Sequence, residues 1–341
     1  MKPKDIENLF PFEGTPNLNG KPYPEEDIDK IVNSFFEGKT PPKNRTGAHV
    51  KILLGAPGAG KSYNAAKNYD AMEETTKSQT IYVSYDENGA IYAIPGFKEK
   101  LTELLGHDFD QHDQIDTSKI SPEQYNAIEA VWSAYRPLSQ YIRSKILKRA
   151  AAEGYSMIID TTSSSPGTLK MIEALNQADY GKSQIEIEGT YAPMEISRQR
   201  IEKRPRKASY LELVTKRMDD PAKNSGAVNM ITPLIKAVGT FTYRFNPDNE
   251  NPPRPAFTFK NGTLTAHDPS VAQTLLSSAE SDEEYLQNLI PMVAEMSDEN
   301  VEKLKNSASY AAQSTQGFKS FITNHILSGK HLTPAQSPEP N

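Results

Sequence analysis

The octapeptide GAPGAGKS occupies residues 55–62, directly after the apolar run Val50-Lys51-Ile52-Leu53-Leu54. Gly55, four further residues, then Gly60-Lys61-Ser62 is the Walker A spacing. Glycines let the backbone turn tightly and bring consecutive N–H groups onto phosphate oxygens. The helix that follows presents its positive end to the same anion. Gly55, Ala56, Pro57, Gly58, Ala59, Gly60, Lys61 and Ser62 are therefore the predicted ATP site. Lys61 reaches the β and γ phosphates and the Ser62 hydroxyl ligates Mg²⁺. The alternative is a Gly/Pro turn of no function between a strand and a helix. Either way, the stretch demands strand, loop, helix in that order, and so favours a parallel α/β sheet.

The rest of the chain follows that pattern. After the strand at Val50–Leu54, a helix is predicted from Lys61 or Ser62 to about Lys77. Strands follow at 80–84, 155–160, 184–191 and 240–245. Helices are expected at 97–105, 166–178 and 193–203, the last with Pro193 at its start. A long helical stretch at 122–153 is predicted to break near Pro137, which removes a donor and disfavours a helical residue before it. Asn261-Gly262 between two short β-like runs signals a hairpin. Before this core, residues 1–45 read as a polar extension with one helix at 24–37. Its Ile28, Ile31, Val32, Phe35 and Phe36 recur at helical spacing. The expected division is an extension at 1–45, a P-loop domain at 46–268, a helical acidic extension at 269–328 and a disordered tail at 329–341.

Composition excludes several classes. With 341 residues the chain can bury a substantial core. It has no cysteine, so disulfides, thiolate zinc sites and cysteine nucleophiles are out. A formal net charge of -6 lacks the strongly basic footprint of a nucleic-acid binder, although it leaves room for a local basic groove. The N-terminus has no apolar h-region, and no apolar run approaches the ~20 residues that span a bilayer. A cytoplasmic protein without a membrane segment is expected. The run His107-Asp108-Phe109-Asp110-Gln111-His112-Asp113 has metal-binding residue types. As a calcium loop from Asp108 it would need Gly at position six and Glu at twelve, where Asp113 and Lys119 stand. It reads as a polar surface loop.

A phosphate grip alone does not separate a kinase from an ATPase. In parallel α/β sheets the deciding residues lie at strand C-terminal ends. Asp160 ends a buried-type strand, as a Walker B carboxylate supporting Mg²⁺ does; a helix-capping Asp is the alternative. Asp86 follows the second strand and is placed to take a proton from an acceptor hydroxyl. Asp-Glu-Asn-Gly is equally a turn sequence. Arg198, Arg200, Arg204 and Arg206, with Arg217 beyond, form a basic stretch. It is either a lid that closes over the transferred phosphoryl group or a solvated helix face. Arg136, beside aromatics where the helical pattern breaks, is a substrate contact or a surface ion-pair partner.

Taken in order, these stretches resemble the zeta toxin family of P-loop kinases. The likeness spans 50–267. It rests on GAPGAGKS, on YVSYDENGAIYAIPGF, on YRPLSQYIRSKILKRAAAEGYSMIIDTT, and on IEGTYAPMEISRQRIEKR. It implies transfer of the ATP γ-phosphate to a small hydroxyl acceptor, a nucleotide sugar such as UDP-N-acetylglucosamine or, in effector relatives, NAD. It implies Asp86 as base, Lys61 and Ser62 on the phosphates and metal, Arg136 on the substrate, and in the lid Arg204 first, then Arg200 or Arg217. An antitoxin or chaperone protein is the implied partner, and delivery into a host cell as an effector an implied location. Three departures stand out. Asp160-Thr161-Thr162 replaces the family's Glu-Gly-Thr, the segment from Lys61 to Asp86 is longer, and the lid contains Pro205. The competing readings are a P-loop ATPase of AAA type and a nucleotide-dependent interaction module.

Overall fold

The computed structural model describes residues 14–55, 58–83, 89–106, 120–161, 167–202, 231–248, 250–268 and most of 270–281. The chain enters as a small hairpin, Asn17–Leu18 (β1) and Lys21–Pro22 (β2). It then forms helix α1 (Glu25–Ser34), with three acidic residues in the first turn where the helix dipole favours them. Ile28, Ile31 and Val32 bury one face of α1 in the main core. Its opposite edge is held by Lys145, which pairs with Glu25 and Asp29, and Arg149 stacks 4.1 Å over the ring of Phe36.

The central sheet has seven strands: Val50–Leu54 (β3), Thr80–Val83 (β4), Ser156–Thr161 (β5), Ile185–Tyr191 (β6), Thr240–Phe245 (β7), Arg254–Lys260 (β8) and Thr263–Ala266 (β9). Their order is β4-β5-β3-β6-β7-β8-β9. The first five in that order run parallel, and β8 and β9 close the edge antiparallel. Asn261 and Gly262 link the last two strands at φ 52 and 81. Positive φ at both central residues is what a type I′ hairpin turn requires.

Parallel neighbours need crossovers, and helices supply them. Helices α2 (Lys61–Asp70) and α3 (Glu74–Ser78) join β3 to β4. The single helix expected at 61–77 is thus two, with a turn at Ala71 and Met72 between them. Next come α4 (Phe97–Leu105), α5 (Pro122–Glu153), α6 (Gly167–Gln177), α7 (Met194–Glu202) and α8 (Ile231–Ala237). The described residues of 270–281 are helical and put Val271 and Leu275 into the core. Among the described residues, no helix is long and apolar enough to cross a membrane.

The break predicted near Pro137 does not occur; α5 runs through it. Proline leaves one helical carbonyl without its donor, at a cost of ~3 kcal/mol. Trp132, Tyr135, Leu138 and Ile142 around it are all buried. At ~1.5–3 kcal/mol for each such side chain, burial outweighs the defect. The Pro137 carbonyl itself accepts the amide of Thr15 at 3.1 Å.

The two faces of the sheet differ. Val50, Ile52 and Leu54 point into the main core, whereas Leu53, Tyr82 and Ile158 meet Ala65 of α2 on the other side. Towards β6 and β7 this second face turns polar. Glu188 is 2% exposed, with Arg244 at 3.0 Å and Lys51 at 3.7 Å. Gly189 faces the aromatic side instead: a Cβ there would lie 2.6 Å from Cδ2 of Tyr243. Tyr243 stacks against both Phe241 and Phe257, which also meet each other. Gly189→Ala is expected to cost about 1–3 kcal/mol of unfolding free energy by overpacking, measured by urea denaturation.

Candidate active site

β3 lies between β5 and β6, and the chain leaves it through the glycine-rich loop at the carboxyl edge of the sheet. Ligands of open α/β sheets bind at such an edge. Gly55 is buried beside Thr190 of β6. Gly58 has φ 77, and a Cβ there would stand 2.5 Å from the Ser197 carbonyl oxygen of α7. Gly60 has φ 93 and caps α2; its Cβ would meet Nδ2 of Asn246 at 2.5 Å. Left-handed backbone and close approach both require glycine at these two places. Ala56 and Pro57 lie outside the described residues.

Lys61 and Ser62 open α2, and both turn towards Asp160. The Ser62 hydroxyl donates to Asp160 Oδ2 at 2.6 Å, and Lys61 Nζ stands 3.7 Å from Oδ1. Asp160 pairs with Leu53 across β3 and β5, which brings it level with the start of the loop. It is 2% exposed, and Oδ1 is a buried oxygen without a hydrogen bond. Burying a carboxylate is costly unless charge and hydrogen bonds compensate it. Lys61 supplies the charge. Arg143, also buried, donates from Nη2 to the Asp160 carbonyl at 2.9 Å and holds the strand end in place. A carboxylate oxygen without a hydrogen bond, beside a serine hydroxyl, is a hard oxygen pair of the kind that suits Mg²⁺. Ser62 and Asp160 are the residues that would hold it.

A glycine-rich loop thus leaves the central strand of a parallel sheet and opens a helix. The fold is a P-loop NTPase-type α/β fold.

The remaining predicted residues divide. Arg200 stands on α7, but its guanidinium is engaged with the backbone of the loop. Nη1 donates to the Gly58 carbonyl at 3.1 Å, and Nη2 to Asn246 Oδ1 at 3.1 Å and to the Asp248 carbonyl. Arg198 pairs with Glu195, whose carboxyl it holds below the usual carboxylate range. Arg136 is half-buried on α5, two helical turns before Arg143 and on the same side of the helix. Asp86, Arg204, Arg206 and Arg217 lie outside the described residues, as does the run from His107 to Asp113.

Asn246 was missed in the sequence, although it directly follows β7 at the carboxyl edge. Only 4% exposed, it donates from Nδ2 to the Ala59 carbonyl at 2.8 Å. Two residues on, Asp248 accepts the amides of Asn251 and Glu250 in a tight turn, which pulls its pKa below the ordinary value.

Neither a protein-family model nor a curated protein matches the sequence. Solved structures do. The AvrRxo1-ORF1:AvrRxo1-ORF2 complex with sulphate ions is 13% identical, covering 88% of this chain and 91% of that one at a TM-score of 0.47. The same complex with ATP is 14% identical, with 89% and 97% covered and a TM-score of 0.46. A chain of the PezAT chromosomal toxin–antitoxin system of Streptococcus pneumoniae is 12% identical, with 86% and 98% covered and a TM-score of 0.43. The fold assignment rests on the strand order and the loop geometry.

Proposed function

We propose that the protein is an ATP-dependent kinase of a small hydroxyl acceptor, a nucleotide sugar or an NAD-like dinucleotide. One observation carries the reading: Ser62 and Lys61 of the loop converge on the buried Asp160, at 2.6 and 3.7 Å. That constellation serves a nucleotide triphosphate with its metal, and the order of the sequence motifs resembles zeta toxins.

The acceptor oxygen bonds to the γ-phosphorus as the bond from that phosphorus to the bridging oxygen breaks, and ADP leaves. Asp86 takes the hydroxyl proton. In the sequence it follows Val83, the last residue of β4, by three positions. Lys61 neutralises the β and γ oxygens, and Arg204 stabilises charge on the phosphoryl group in flight. Arg136 binds the acceptor. Mg²⁺, when bound, offsets further phosphate charge. Phosphorylation of the acceptor makes the protein a toxin or effector, restrained by an antitoxin or escorted by a chaperone.

The test is phosphotransfer from labelled ATP to a panel: UDP-N-acetylglucosamine, other UDP-sugars, NAD and a 5′-hydroxyl oligonucleotide, read by mass spectrometry. One acceptor is expected to gain a single phosphate. Asp86→Asn should lower that rate by about 10²–10⁴-fold, and Lys61→Ala should abolish it. Free phosphate without an acceptor product, unaffected by Asp86→Asn, would replace the kinase by an ATPase. Nucleotide binding without any turnover would indicate an interaction module.

A further inference from the structure

A loop that aims its N–H groups inward at phosphates must turn carbonyls outward, and buried carbonyls need donors. Two residues of this chain supply them. Arg200 Nη1 takes the Gly58 carbonyl at 3.1 Å, and Asn246 Nδ2 takes the Ala59 carbonyl at 2.8 Å. They are also bonded to each other, Arg200 Nη2 to Asn246 Oδ1 at 3.1 Å. Chemistry fixes the orientation of the Asn246 amide. A carbonyl only accepts and a guanidinium only donates, so the NH₂ must face Ala59 and the oxygen must face Arg200. Both residues are anchored beyond the loop. The Asn246 backbone N–H donates to the Tyr191 carbonyl at the end of β6 at 2.8 Å, and Arg200 also holds the Asp248 carbonyl.

We infer that Asn246 and Arg200 act together as positioning residues that hold the phosphate loop in its binding shape from its outer side. The inference rests on the proposed reading of the loop as a nucleotide site. It separates Arg200 from the lid role that its sequence suggests. A lid arginine acts on the transferred phosphoryl group and is indifferent to ADP, which has none to transfer. A residue that shapes the loop governs ADP and ATP alike.

The experiment is fluorescence titration with methylanthraniloyl-ADP and methylanthraniloyl-ATP, on wild type, Asn246→Ala, Arg200→Gln and the double variant. Each single change is expected to weaken ADP binding about tenfold, the order that one lost buried hydrogen bond supports. Because the two act through one contact set, the double variant should also lose about tenfold rather than about a hundredfold. Arg200→Lys, which keeps a donor, should recover part of the loss. Asn246→Ser serves the same purpose if the alanine variant does not fold. Unchanged ADP affinity with phosphotransfer lost in Arg200→Gln overturns the inference and returns Arg200 to the lid. Multiplying losses also overturn it, since the two would then act independently. Wild type that binds neither nucleotide removes the nucleotide-site reading itself, an outcome distinct from both.

Discussion

Asp160→Asn is expected to lower phosphotransfer by about a thousandfold, ~4 kcal/mol of transition-state stabilisation, while the fold stays intact. The side chain is almost isosteric, so its oxygen can still accept from the Ser62 hydroxyl, now 2.6 Å from Oδ2. What disappears is the charge. Lys61, 3.7 Å away, loses its counter-ion, and the proposed Mg²⁺ site loses its anionic ligand. Stability should fall with activity. Removing one partner of a buried pair leaves the other charge uncompensated, so a loss of about 3 kcal/mol is expected although Asn keeps the shape of the side chain. Ser62→Ala leaves the ion pair in place. It strips Asp160 only of its hydroxyl donor, so it should cost about 1–3 kcal/mol of stability. Thermal unfolding beside single-turnover assays reads both. An Asp160→Asn enzyme with near-normal rates would mean that the carboxylate is only a structural partner of the loop.

Asp160 was legible because its cue is local: a buried strand that ends in a carboxylate. The same holds for β3, α4 and β7, whose bounds match the sequence pattern, and for the turn at Asn261 and Gly262. Where packing from elsewhere decides, the sequence misled. Proline at 137 is a local stop signal, but Trp132, Tyr135, Leu138 and Ile142 bury around it and carry the helix through. Asn246 lies 187 positions from Ala59, and no spacing rule joins them. Arg143 reaches the Asp160 carbonyl from 17 positions away, which no spacing rule gives. Arg200 was visible as one cation among several. Which side of the loop it takes depends on how α7 packs, and Gly58 lies against the backbone of that helix. Strand ends were therefore legible, while the contacts that brace them come from residues distant in the sequence.

That contact between Gly58 and α7 makes Gly58→Ala the sharpest steric test of the loop. A side chain at φ 77 costs ~1–2 kcal/mol in any surroundings. Here the added carbon would also sit 2.5 Å from the oxygen and 2.9 Å from the Cα of Ser197. Those are backbone atoms of a helix, and they cannot rotate away as a side-chain tip can. Ser197 itself is fully buried. The loop must move instead, and its 58 carbonyl then leaves Arg200. Strain and overpacking together come to about 3 kcal/mol, or roughly a hundredfold weaker binding of ADP and ATP. Gly20→Ala is the control. Its φ of 75 carries the same backbone cost, yet nothing lies within 4 Å of its Cβ. It should lose ~1–2 kcal/mol of stability and bind nucleotide normally. If Gly58→Ala behaves like Gly20→Ala, the loop does not hold phosphates in the shape seen here. If only Gly58→Ala loses affinity, the packing of α7 beneath the loop is part of the nucleotide site.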